Sequence, residues 1–425
     1  MDTSDVAIVG AGIGGAVLAL ALGSRGWRVK LLEREMQPPQ MVRPEILWGA
    51  TPTVLDRFGV GDVIRTQASV RLGGVEFMCG RRRLLALSHD VLQAAKVEAY
   101  STDPGLTREA IVAAAAATGT VTFLRGVEVQ QVVRDGTRIV GVQASRNGMS
   151  LVEHARLVVG DDGAHSVVRA ALSSDRGWPS PRVDNHTSMQ TDQRRADLEF
   201  KLFPLDFVTA AIVWPDELPP DEGRVWINPK AFRAGIPGIG CLPWPGGRGV
   251  LLLPLPHTRA EALLRSTEVA FWNELTKLTP LAATLSSQLK FPDGFRRVQR
   301  PYGHAPQYVA DGAAIIGDAA HPVSPAGGQG ANAAIWDALA LAEVAHEALT
   351  ANDVSRERLA RYEALRRPRN CDSVRITERA ARVFRYAPYV PGLRWLVPAA
   401  LRCIDFLPSL KSRVVASFAT TFVTR

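Results

Sequence analysis

The sequence predicts an α/β protein. It combines a Rossmann-like dinucleotide-binding domain, an interleaved β-rich domain and a helical C-terminal segment. Three observations carry this. A glycine-punctuated strand-helix-strand unit opens the chain, two more glycine-rich strand-to-helix passages follow at 157–169 and 313–349, and a proline-rich stretch with no nucleotide motif, 181–295, lies between those two.

The opening unit reads as follows. Val6-Ala7-Ile8-Val9 is a short β-type run, Gly10-Ala11-Gly12-Ile13-Gly14-Gly15 is the turn, and an Ala/Leu-rich helix runs to Ser24, closed by Arg25-Gly26. Trp27 to Leu32 forms the second strand, ending at Glu33 and followed by Arg34. This order gives the glycines a physical meaning. Gly10 permits the tight turn, Gly12 lets backbone approach a pyrophosphate, Gly14 keeps the helix start bare, and Gly15 allows the helix to pack on the strands. Free N–H groups and the helix dipole then hold the anion. A carboxylate at Glu33 suits ribose hydroxyls, but this unit alone does not separate FAD from NAD.

Composition bounds the alternatives. A chain of 425 residues with 46% hydrophobic and 22% charged residues suits two packed domains of a globular enzyme. Cys79, Cys241, Cys371 and Cys403 are far apart and form no zinc or disulfide pattern, so no metal is expected and a reducing cytoplasm is the natural setting. The apolar run Val6–Leu22 has no basic residue before it and is read as strand, turn and helix, not as a leader. Of the formal charge of +8, residues 383–425 supply +5, from six Lys or Arg against Asp405. That local excess, without a basic-aromatic motif, argues against nucleic acid and leaves an anionic surface or a solvated tail.

Two later passages select the cofactor. Residues 127–144 read as a hairpin around Asp135-Gly136, and Leu157-Val158-Val159 then runs into Gly160-Asp161-Asp162-Gly163-Ala164-His165-Ser166-Val167-Val168-Arg169. Farther on, Ala313–Ile316 leads to Gly317-Asp318-Ala319-Ala320-His321-Pro322 and then to Pro325-Ala326-Gly327-Gly328-Gln329-Gly330-Ala331-Asn332, opening a helix to about Leu349. A glycine-rich helix start of this kind presents donors and a positive dipole end suited to the charge of a reduced flavin.

In their order, these stretches resemble the DG and GD motifs of the class A flavoprotein monooxygenases, the para-hydroxybenzoate hydroxylase family. The resemblance implies FAD as cofactor and NAD(P)H as co-substrate. It places Asp162 and Gly163 near the pyrophosphate, Asp318 on the ribitol, and Pro325, Gly328, Gln329, Gly330, Ala331 and Asn332 around the flavin. It adds Arg43 and Arg108, the latter in Thr107-Arg108-Glu109 at a helix start. Asp161 departs from the small residue usual before the motif's Asp, which implies altered local packing. Tyr362-Glu363-Ala364-Leu365-Arg366-Arg367-Pro368 resembles a structural helix of the family. The resemblance further implies transfer of one oxygen atom of O2, through a flavin C4a-hydroperoxide, to an electron-rich aromatic or prenyl-bearing lipophilic small molecule. The chemistry would be flavin-borne, with no catalytic side chain assigned. His321 is the weak candidate, and its place inside the cofactor loop favours a structural role.

This reading divides the chain into a discontinuous FAD-binding domain (1–73, 100–180 and 296–380), a substrate domain (74–99 and 181–295) and a basic amphipathic C-terminal segment (381–425). Phe200, Phe203, Phe207, Trp214, Trp226 and Trp244 are divided between core and substrate pocket, and His186, His257 and His304 are unplaced candidates for a substrate base. In the tail, Leu410, Val414, Phe418 and Phe422 form a stripe beside Lys411 and Arg413. That stripe would pack on the body or a partner subunit, or touch a membrane surface peripherally. Two rivals are an FAD-dependent reductase of the geranylgeranyl-reductase type and a non-catalytic binding protein of the same fold.

Overall fold

A computed structural model describes residues 4–38, 42–173, 200–325, 327–386, 390 and 392–423. Its first strand, Ser4–Val9, is buried along its whole length because it lies between Val29–Glu33 and Met149–Gly160, both parallel to it. A strand covered on both faces is apolar on both, which explains the unbroken Val-Ala-Ile-Val run. The same sheet continues through Val121–Arg125 on one side and through Ala313–Ile315 and Val309–Ala310 on the other. The hairpin Val127–Asp135 and Arg138–Arg146 extends Met149–Gly160, and Gly136 takes the positive φ that its turn demands.

The helix Ile13–Gly23 has no exposed residue, so its Ala/Leu composition reflects burial on all sides. It lies against the sheet and the helices Pro104–Ala116 and Gln329–Thr350. The helix expected to open at Thr107 begins one turn earlier. Asp103 accepts hydrogen bonds from the Gly105 and Leu106 N–H groups and Pro104 occupies the first turn, a stronger start signal than Thr107.

A seven-stranded sheet stands opposite, in the order 296–298, 206–213, 248–255, 238–244, 222–227, 74–79, 82–87. Three helices, His257–Leu264, Glu268–Thr276 and Ala282–Gln288, cover it. The β-rich expectation for this stretch missed them. Thr267 caps the middle helix at the Ala270 N–H, and Phe271, Trp272 and Leu275 give it a buried face. A separate small sheet is made of Ile46–Trp48, Ala99–Thr102 and Ser69–Arg71, with Ala99–Thr102 in the middle.

After the helix Arg356–Tyr386 come Leu393–Asp405 and Pro408–Thr420. The last helix packs on the body. Val415, Ala419 and Phe422 are buried with Trp48, Leu72, Val91 and Leu92. The buried face takes in Phe422 and partly buried Phe418 of the sequence stripe together with Val415 and Ala419, which lie one residue beyond it, and Leu410 remains exposed.

Candidate active site: a cofactor cavity between two glycine-rich helix starts

A cavity of about 570 Å³ opens where the first strand, the end of Met149–Gly160 and the start of Gln329–Thr350 converge. Gly10, Gly12, Gly14, Glu33, Arg34, Arg43 and Arg108 line it from the N-terminal half. Asp161, Asp162, Gly163, Asp318, Pro325, Gly328, Gln329, Gly330 and Ala331 line it from the other side. Residues more than 300 positions apart thus meet at the carboxyl ends of parallel strands, where open α/β sheets bind ligands.

The glycines are required by close approach. A Cβ on Gly15 would lie 2.3 Å from the Gly10 carbonyl oxygen, and one on Gly10, at φ +93°, would lie 2.4 Å from the Asp161 carbonyl oxygen. Gly15 itself is outside the cavity lining and holds helix and strand together from behind. Asn332 behaves likewise. Its side chain donates to the Ile46 and Gly328 carbonyls and accepts from Trp48 N–H and Thr51 hydroxyl, fastening the second helix start to the small sheet.

The polar rim has spare capacity. Glu33 accepts from the Ala11 and Glu35 N–H groups and faces Arg108 at 3.7 Å, and Arg108 is bound to Glu109 at 2.8 Å. Arg43 is paired with buried Glu45 at 3.1 Å. Buried and without a partner are Arg108 Nε, Asp162 Oδ1 and Gln329 Oε1, all from residues that line the cavity. Such orphaned groups are costly unless a ligand or water meets them. Glycine-bare helix starts, a carboxylate at a strand end and these orphans suit a dinucleotide carrying a flavin.

Asp162 also caps the helix Val167–Ser173, its Oδ2 accepting from Val167 and Val168 N–H at 2.7 and 3.3 Å. Burial nevertheless pushes its carboxyl above the usual range, outweighing those bonds.

Sequence reasoning missed Arg300. It lines the cavity and binds Asp318 at 2.8 Å, fixing the carboxylate from a segment just after the seven-stranded sheet. No motif marks it. Val127, Val129, Val323 and Ser324 were missed for the same reason.

His321 does not line the cavity. It is buried, with Nε2 on Asp337 and Nδ1 unpaired. Asp337 in turn accepts from Gly317 N–H, Asn370 and Arg366, while Arg366 donates to the Phe422 carbonyl. This network fixes the glycine loop to the C-terminal tail. Burial would raise the Asp337 carboxyl, but the His321 and Arg366 charges outweigh it and hold it well below the ordinary carboxylate range.

The six aromatics considered for a pocket are buried or partly buried, and none lines this cavity. Phe203 stacks on Phe207 and meets Tyr302 edge-on, while Trp214 packs over Gly249. Of the three histidines, His257 pairs with Asp206 outside the cavity, His304 bonds Tyr308 in the core, and His186 lies outside the described residues.

Comparison with known proteins agrees with this geometry. Residues 3–377 match the family model described as FAD binding domain. The chain belongs to that family. Within it, the chain is 28% identical over 388 residues to 6-methylpretetramide 4-monooxygenase of Streptomyces rimosus, covering 89% of this chain and 82% of the relative. It is 27% identical over 399 residues to ubiquinone hydroxylase UbiL of Rhodospirillum rubrum, covering 90% and 82%. Its fold matches the crystal structure of P. aeruginosa PqsL in complex with 2-aminobenzoylacetate with a TM-score of 0.75, at 23% identity and over 94% of this chain and 100% of that one. The family fold is the α/β architecture with C-terminal helices, FAD is the cofactor, NAD(P)H the co-substrate, and the protein is an enzyme of the flavoprotein monooxygenase type.

Proposed function

We propose that the enzyme transfers one oxygen atom from O2 to an electron-rich aromatic or prenyl-bearing lipophilic small molecule. The observation that carries this is the convergence of two glycine-rich helix starts on one cavity, one suited to a pyrophosphate and the other to a planar ring. Bound FAD, reduced by NAD(P)H, supplies the oxygen-activating chemistry. The chain supplies placement. Glu33 and Arg108 would hold the ribose end, the Gly12–Gly14 backbone would hold the pyrophosphate with Asp162 capping the helix beside it, and Asp318, fixed by Arg300, would hold the ribitol. The start of Gln329–Thr350 directs N–H groups and a dipole at the ring. Arg34 and Arg43 stand at the rim, where cations suit phosphate-bearing ligands.

The test uses holoenzyme, NAD(P)H and 18O2 with candidate phenols and prenylated aromatics. The expected result is substrate-dependent NAD(P)H oxidation with one 18O per product. A reduced, unlabelled product would replace this reading with the reductase one.

Peripheral membrane contact has one observation in its favour. Trp395, Leu396 and Phe406 are 51, 62 and 75% exposed, and Leu407 is half exposed, near Arg394, Arg402 and Arg413. No helix among the described residues is long and apolar enough to cross a membrane. Replacing Trp395, Leu396 and Phe406 by Ser tests the surface without disturbing the packed last helix. Unchanged sedimentation with anionic vesicles would end that reading.

A further inference from the structure

Gly12, which starts the first helix, has no side chain for the helix's orphan N–H groups, and a carboxyl from the loop after Met149–Gly160 takes that place. The Gly15 N–H donates to Asp161 Oδ2 at 2.7 Å. The carboxyl is wedged into the turn. A Cβ on Gly12 would lie 2.3 Å from Oδ2, and Cβ atoms on Gly14 and Gly317 would lie 3.0 and 2.9 Å from Oδ1. Asp161 therefore stands in the same dipole field and lines the same cavity as the FAD pyrophosphate would.

The charges around it favour one anion there, not two. Its own loop brings Asp162. The Gly317 turn brings Asp318, paired with Arg300, and the helix Gln329–Thr350 brings Asp337, paired with His321 and Arg366. The first turn of Ile13–Gly23 carries no acidic residue, and no cation is paired with Asp161 among the described residues.

We infer that Asp161 is a proton-linked positioning residue for FAD: it caps the first helix through Gly15 in the FAD-free protein and takes up a proton when the pyrophosphate enters. Burial already pushes this carboxyl well above the usual range, against the pull of the Gly15 N–H and with added repulsion from Asp318, Asp162 and Asp337. A bound pyrophosphate pushes it further. FAD and one proton then bind together, so affinity falls by up to about tenfold per pH unit above the carboxyl's pKa in the free protein. The protonated carboxyl keeps its carbonyl oxygen for Gly15, and the turn retains its shape. The inference rests on FAD binding and is independent of oxygen transfer.

Calorimetric titration of FAD into apoprotein between pH 6.5 and 9, in two buffers of different ionisation heat, tests this. Wild type is expected to take up close to about one proton per FAD at the alkaline end, with Kd rising alongside. Asp161→Asn keeps an acceptor for Gly15 and is expected to show almost no uptake, a flat profile and tighter binding at high pH. Asp161→Ala is expected to be equally flat, with a lower apoprotein Tm because the cap is gone. Wild-type proton uptake and slope in either variant would overturn the inference.

Discussion

The two glycine-rich helix starts look alike in sequence and are built differently. At the first, close approach is backbone on backbone, since a Gly15 Cβ would meet the Gly10 carbonyl at 2.3 Å. At the second, Gly327 at φ +76° faces a side chain, and its Cβ would meet the Phe418 ring at 2.7 Å. The first takes in one distant side chain, Asp161, and is otherwise close-packed backbone. The second is assembled from distant parts: Gln329 donates to the Phe418 carbonyl, Asn332 reaches Ile46, and Arg366 joins Asp337 to the Phe422 carbonyl. The second loop is shaped by the distant side chains that pack on it.

The largest effect that would sharpen this contrast is expected at Arg366. Arg366→Met removes one of the two basic partners of buried Asp337 and the donor to the Phe422 carbonyl, and unfolding free energy should fall by about 3–5 kcal/mol. Chemical denaturation of holoenzyme measures it, and an unchanged midpoint would show that the second start does not depend on this network.

Next comes Gly15→Ala. Backbone cannot yield as a side chain can, so FAD affinity should drop about 100-fold or more, equivalent to roughly 2.7 kcal/mol. The ratio of flavin to protein absorbance after gel filtration reads this directly. Gly327→Ala should be milder, with about 1–2 kcal/mol of backbone strain and partial retention of FAD. Adding Phe418→Ala should relieve the clash and leave the strain. If Gly327→Ala proves as severe as Gly15→Ala, the contrast between the two starts fails.

The smallest effect concerns acid stability behind the second start. Burial lowers the His304 imidazole from its ordinary 6.5 to about 3, helped by repulsion from His321 and Arg367. Its folded value is depressed, so the unfolded chain binds the extra proton between these limits. The neutral imidazole's contribution is complete above pH 6.5 and is lost as pH falls towards 3. His304→Gln should therefore lose less Tm than wild type between pH 7 and 4.5. Parallel melting curves would remove His304 from the acid response.

Part of this protein was legible in one dimension. Backbone geometry allows only glycine at Gly10 and Gly15, and the parallel strands need apolar residues on both faces, so spacing and composition were enough to read the opening strand-helix-strand unit. Glu33 followed from its distance to those glycines along the chain, and Asp162, Asp318 and Gly328 from resemblance to the DG and GD motifs. The helices at 257–288 were masked by the prolines and aromatics of the stretch that precedes them, and Thr107 was outcompeted by the Asp103-Pro104 start.

Position within the chain determined the turns and the strand ends, because those depend on a few consecutive φ/ψ angles. Tertiary structure alone decided that Asp161 caps a helix 146 residues away, that Arg300 fixes Asp318, and that Phe418 closes on Gly327. Each is a through-space contact between segments whose local sequence has no reason to anticipate the other. Electrostatic and packing forces act on distance in space, and only the folded chain sets that distance.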